Sequence, residues 1–152
     1  MKKARTTFFF LLLVLVGATQ TVSAQRNVTP QVDPVLEADA LHNLDVARQA
    51  FRLKKAYKGV LMRFEETFAA YPAFSHMEEF LYLAGLSSYY LSKNEGKQKV
   101  NLKIEREREK YAPEKLREDA IAYLSILLER NPDSSYKEEA EKILKELHTG
   151  QQ

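Results

Sequence analysis

The sequence predicts an all-α fold built from paired helices, and three observations carry that prediction. The first is an internal echo. The stretch VLMRFEETFAAYP-AFSHMEEFLYLAGLSSYYL, from Val60 to Leu91, is matched 60 residues downstream by AIAYLSILLERNP-DSSYKEEAEKILKEL, from Ala120. The second is periodicity. With Pro72 set on Pro132, the apolar residues Val60, Leu61, Phe64, Thr67 and Phe68 fall on Ala120, Ile121, Leu124, Leu127 and Leu128. Phe80, Leu83, Ala84 and Ser87 likewise fall on Ala140, Ile143, Leu144 and Leu147. Spacings of one, three and four residues trace one face of a helix. The third is punctuation. Proline cannot continue a helix and biases its predecessor away from helix, so Tyr71-Pro72 and Asn131-Pro132 each end one.

Taken in order, Met1 to Ala24 reads as a secretory signal peptide. Lys2, Lys3 and Arg5 form a basic start, Phe8 to Val16 is apolar but too short to span a bilayer, and Val22-Ser23-Ala24 is a small-residue cleavage site. An uncleaved anchor is the alternative. Cleavage near Gln25 implies export to the periplasm or the outside. It also changes the charge. The whole chain has 23 Lys+Arg and 21 Asp+Glu, for a net charge of +2. Without the three basic residues of 1–24, 20 face 21, for a net of −1. That balance gives no global field to draw nucleic acid or an anionic membrane. There is no cysteine, hence no disulfide.

Residues 25–34 are polar, with Pro30 and Pro34, and read as a disordered arm. The helical domain is 35–148. Its first helix begins near Val35 and buries Leu41, Leu44, Ala47 and Phe51. No turn residue precedes Gly59, so 36–70 is either two helices joined by a tight basic turn, the reading adopted, or one long bent helix. Ser75 and Ser134 or Ser135 are placed to cap the helices after the prolines. Residues 92–112 are an insertion within the second pair. There Val100, Leu102 and Ile104 alternate like a strand, and Glu105 to Lys110 alternate in sign like a solvated helix or arm. Pro113 opens a further helix, reaching about Arg130. The closing helix, Lys137 to Leu147, keeps Glu138, Glu141, Lys142 and Lys145 on a wet face, as a capping helix must. Residues 149–152 form a tail. The expected total is about five helices.

Small, large-apolar and proline positions at Ala120, Leu124 and Pro132, repeated at Val60, Phe64 and Pro72, resemble the tetratricopeptide repeat, whose unit is a helix pair of ~34 residues. Gly85 matches the glycine that lets paired helices approach, and Tyr57 an aromatic before the second helix. YPAFSHMEEFLYLAG and NPDSSYKEEAEKIL further resemble repeats of the outer-membrane β-barrel assembly lipoprotein (BamD-like) family. That family is lipid-anchored through an N-terminal cysteine, which this chain lacks, so no direct lipid anchor is expected. The resemblance implies a non-catalytic protein–protein interaction module or scaffold of the cell envelope, an adaptor in outer-membrane protein assembly that binds another envelope protein or peptide. It also implies a concave face lined by His42, Asp45, Gln49 and Arg52, then Glu79, Tyr82, Leu86, Tyr89 and Tyr90. Tyrosines and arginines are frequent interface anchors, but a tyrosine stripe at helical spacing equally suits a core. Lys97, Lys99 and Lys103 are candidate contacts if the insertion is a projecting arm; otherwise it is a solvated loop.

Catalytic and metal-binding patterns are not found. His42, His76 and His148 are dispersed, and neighbouring residues of Glu65-Glu66 and Glu78-Glu79 point ~100° apart on a helix. No phosphate loop occurs, and no cofactor is expected. Two rival readings remain: an enzyme or accessory protein acting on cell-wall or extracellular ligands, and a structural repeat that self-associates.

Overall fold

The computed structural model describes residues 33–150. The signal-peptide and disordered-arm expectations lie outside the described residues, apart from the last two positions of the arm. Residues 33–150 are all-α, with no strand among them. Helices run α1 Pro34–Arg52, α2 Tyr57–Ala70, α3 Met77–Ser92, α4 Glu105–Tyr111, α5 Pro113–Arg130 and α6 Lys137–Thr149. The helix beyond the expected five is the short α4, within the insertion.

The echo holds to individual hydrogen bonds. Tyr71 N–H donates to Thr67 O at 2.8 Å, and Asn131 N–H to Leu127 O at 2.9 Å. Phe74 N–H donates to Tyr71 O at 3.1 Å, and Ser134 N–H to Asn131 O at 3.0 Å. The next bonds, Met77 to Phe74 and Lys137 to Ser134, are both 3.1 Å. Each proline turn therefore closes one helix and opens the next with the same backbone path.

The serines do not cap as expected. His76 and Tyr136 are the N-cap residues, without side-chain cap bonds. Ser75 Oγ donates instead to Glu37 on α1. Ser134 Oγ accepts from Tyr136 N–H at 3.1 Å and donates to Glu78 Oε1 at 2.5 Å. In both turns a serine ties the junction back to the preceding first helix of a pair.

Residues 34–70 form two helices. Asp33 Oδ1 caps α1 through Val35 N–H at 2.9 Å. At the far end Lys55 takes a left-handed φ of 47°, and Ala56 N–H returns to Ala50 O at 2.9 Å, which satisfies a terminal carbonyl and reverses the chain. A lysine thus makes the turn for which the sequence offers no glycine. Ala40, Leu44, Ala47 and Ala50 form the buried stripe of α1; Leu41, expected inside, is exposed.

Two layers result. In one, α1 meets α3 through Arg48 and Glu79, and α3 meets α6 through Tyr82 and Tyr136. In the other, α2 meets α5 where the Phe64 and Tyr123 rings pack edge to face at 4.7 Å. Helix α3 is central and buried from Leu83 through Tyr89. Gly85 lets α5 approach it: a Cβ there would lie 2.6 Å from Leu124 Cγ and Cδ2, far inside van der Waals contact. That is the role the repeat pattern assigns to this glycine.

The insertion neither projects nor forms a strand. Asn94 and Gly96 take positive φ, 55° and 87°, and fold it back onto α2. Lys97 N–H donates to Lys55 O at 3.0 Å. Gln98 Oε1 accepts from Gly59 N–H at 3.2 Å, a donor in the first turn of a helix whose N-cap, Ala56, has no side-chain acceptor. Lys58 Nζ donates to Lys99 O at 2.7 Å and Glu107 Oε2 at 2.8 Å, which holds a cation at a helix end where the dipole opposes it. The Val100–Ile104 alternation forms no strand because asparagines take its backbone: Val100 N–H donates to Asn94 Oδ1 at 3.2 Å and Lys103 N–H to Asn101 Oδ1 at 3.1 Å.

Candidate protein-binding face

The face built by α1, α3 and α6 gathers most of the residues picked out by the resemblance. His42, Asp45, Gln49 and Arg52 are all exposed on α1. Arg48, not among them, is the hinge of the arrangement. Its Nε donates to Glu79 Oε1 at 2.7 Å, its Nη2 to Glu79 Oε2 at 2.5 Å, and its Nη1 to Asp45 Oδ1 at 2.7 Å. Bidentate geometry fixes the planar guanidinium against the carboxylate. The Arg48 bonds hold the Glu79 carboxyl below the usual carboxylate range. One turn along α1, Arg52 is exposed and makes no ion pair among the described residues.

On α3 the expected stripe divides. Glu79, Tyr82 and Tyr90 are half-buried and reach the surface. Leu86 is 2% exposed and Tyr89 7%; these two belong to the core, and the expectation that they line an open face is corrected. The reason is placement: α3 is the middle helix, with α1, α2 and α5 packed against it, so the register that exposes α1 buries the corresponding part of α3. Tyr89 turns toward Lys93, whose Nζ lies 2.5 Å from the Tyr89 hydroxyl and 2.7 Å from Glu146 Oε1. Tyr90 stacks on Tyr57 at 5.3 Å.

Tyr82 is the centre of the face. Its ring stacks on Tyr136 with centroids 4.2 Å apart and planes 17° from parallel. Its hydroxyl donates to Glu139 Oε2 at 2.5 Å. Burial first, and then this carboxylate, push the Tyr82 phenol well above its ordinary value. Sequence reasoning missed Tyr136. Its signal lay in the echo, where Tyr136 corresponds to His76 just before the first turn of the following helix. His76, Glu79, Ser135 and Tyr136 line a cleft of about 200 Å³ beside the stack.

The candidate carboxylate pairs are dispersed among different partners. Glu65 accepts from Lys110 Nζ at 2.5 Å and Glu66 from Arg63 at 2.9 Å, while Glu78 is held by Ser134 and Glu79 by Arg48. No group of three metal-ligating side chains occurs among the described residues. Of the insertion lysines, Lys97 and Lys103 are exposed, and Lys99 Nζ donates to Asn94 O at 2.5 Å. No helix among the described residues is long and apolar enough to cross a membrane.

No protein-family model, curated protein or solved structure matches the chain.

Proposed function

We propose that the protein is a non-catalytic interaction module of the cell envelope whose α1–α3–α6 face holds a segment of another polypeptide. The observation that carries this reading is the half-buried aromatic platform of Tyr82 and Tyr136 on the face where Arg48 joins Glu79, with Gln49 and Arg52 exposed next along α1. Stacked tyrosines offer a rigid, amphipathic contact with little side-chain entropy left to lose. Arg52 offers planar donors to a partner carbonyl or carboxylate. The sequence resemblance to the outer-membrane assembly lipoproteins supports a partner among envelope proteins, and export through the N-terminal segment belongs to the same proposal.

A photo-crosslinking amino acid at Gln49, with the same group at Glu141 on α6 as control, tests it in an envelope extract. The reading expects one dominant adduct from position 49, lost with Arg52→Glu, and none from position 141. Equal adducts from both positions, or none from 49, would overturn it.

A further inference from the structure

We infer that the end of the molecule formed by the α1–α2 turn and the insertion is a docking surface for anionic lipid bilayers. Two segments some forty residues apart build it. The Lys97 N–H to Lys55 O bond joins them, and the backbone of Gly96 lies so close that a Cβ there would fall 2.6 Å from Lys55 O. Lys54 and Lys55 come from the turn, and Lys97 and Lys103 from the insertion. All four are exposed and none makes an ion pair among the described residues. Glu95 and Glu105 are the exposed acids interspersed with them, Glu105 reaching Arg108 at 4.0 Å; Glu107 is already bound by Lys58.

Set among these lysines are aliphatic side chains facing water: Leu53 is 75% exposed, Leu102 45% and Ile104 49%. Lysines around exposed aliphatics match a bilayer interface, where ammonium groups meet lipid phosphates and apolar tips enter the acyl boundary. Nucleic acid fits less well. Single strands want aromatic stacking platforms, and the nearby Tyr57 is buried in the core. At the opposite end, the start of α1 and the proline turns mix Asp33, Glu37, Asp133 and Glu138 with Arg130 and Lys137, so the four unpaired lysines stand out only once the chain is folded. The inference is independent of the α1–α3–α6 face.

The chain has no cysteine, so a single Leu102→Cys change carries one polarity-sensitive fluorophore, and Glu141→Cys supplies a control on α6. The full chain is mixed with phosphatidylcholine vesicles, with and without phosphatidylglycerol. The expected result is a blue shift at 102 with the anionic vesicles alone, none at 141, and an affinity at least about tenfold weaker after K97E/K103E. This readout is local, so vesicle binding by another part of the chain does not move it. No shift at 102, an equal shift on neutral vesicles, or an equal shift at 141 would overturn the inference. So would lysine-dependent binding of a DNA duplex with no shift on vesicles.

Discussion

Arg48 on α1 and Glu79 on α3 are joined by two parallel hydrogen bonds, 2.7 and 2.5 Å long, and this pair is the polar seam between the first and second helix pairs. Because it lowers the folded-state pKa of Glu79, it stabilises the fold above the ordinary glutamate value of 4.5, and that stabilisation is lost as pH falls through the lowered value. Glu79→Gln should cost about 1 kcal/mol at neutral pH, the pair being partly solvated. Thermal melts of both proteins across pH should show the gap closing below 4.5 and not above it.

Gly85 and Gly59 should respond to alanine in opposite directions. At Gly85 the added methyl meets Leu124 at 2.6 Å, and overpacking of this kind costs about 1–3 kcal/mol. At Gly59 the methyl finds only Ala50 Cβ at 3.9 Å. There Gly59→Ala should gain about 0.5–1 kcal/mol through helix propensity. Urea denaturation of the two variants checks both signs.

Asp119 stands beside Glu65 and Tyr123 in the cleft between α2, α4 and α5 and makes no ion pair among the described residues. Burial pushes its carboxyl up, and it pushes the Tyr123 phenol up to about 12. A raised carboxyl destabilises the fold where it is ionised, so Asp119→Asn should raise the melting temperature at neutral pH, by roughly 0.5 kcal/mol in stability. The gain should shrink as pH falls through the raised value and the native aspartate protonates.

Gln98→Ala removes an acceptor that Gly59 N–H shares with Ala56 O. The cost should be small, about 0.5 kcal/mol, but localised. Hydrogen exchange should quicken at the first amides of α2 and stay unchanged in α5.

The paired-helix plan was legible because the second helix of each pair, α2 and α5, runs into a proline. Pro72 and Pro132 fix the register, and the seam Val60–Phe64–Phe80–Ala84 is written in helical spacing on either side of the first proline. The α1–α2 boundary was harder to read. Its turn is a left-handed Lys55 held by tertiary bonds, which no local composition announces. Leu86 and Tyr89 were misplaced because periodicity gives the angle of a residue around its helix, whereas burial depends on what lies alongside. Within the insertion the sign alternation of Glu105–Lys110 was legible as the solvated helix α4, but the strand-like reading of Val100, Leu102 and Ile104 failed for the same reason: Asn94, Asn101 and Gln98 act on partners in space and fold that stretch into turns. The two halves of the basic end were each legible, as a basic turn and as insertion lysines, but their meeting was not, because the Lys97–Lys55 bond joins segments far apart in the chain.

The bond from Gly59 to Gln98 spans 39 residues of chain, which has a consequence for biogenesis. As the polypeptide emerges from the ribosome, α1 and α2 appear first, with the start of α2 still missing the glutamine that will later bind it. The opening hairpin should therefore stay loose at that edge until the segment after α3 arrives, and a truncated product ending at Ala70 would expose the same unfinished edge to proteases.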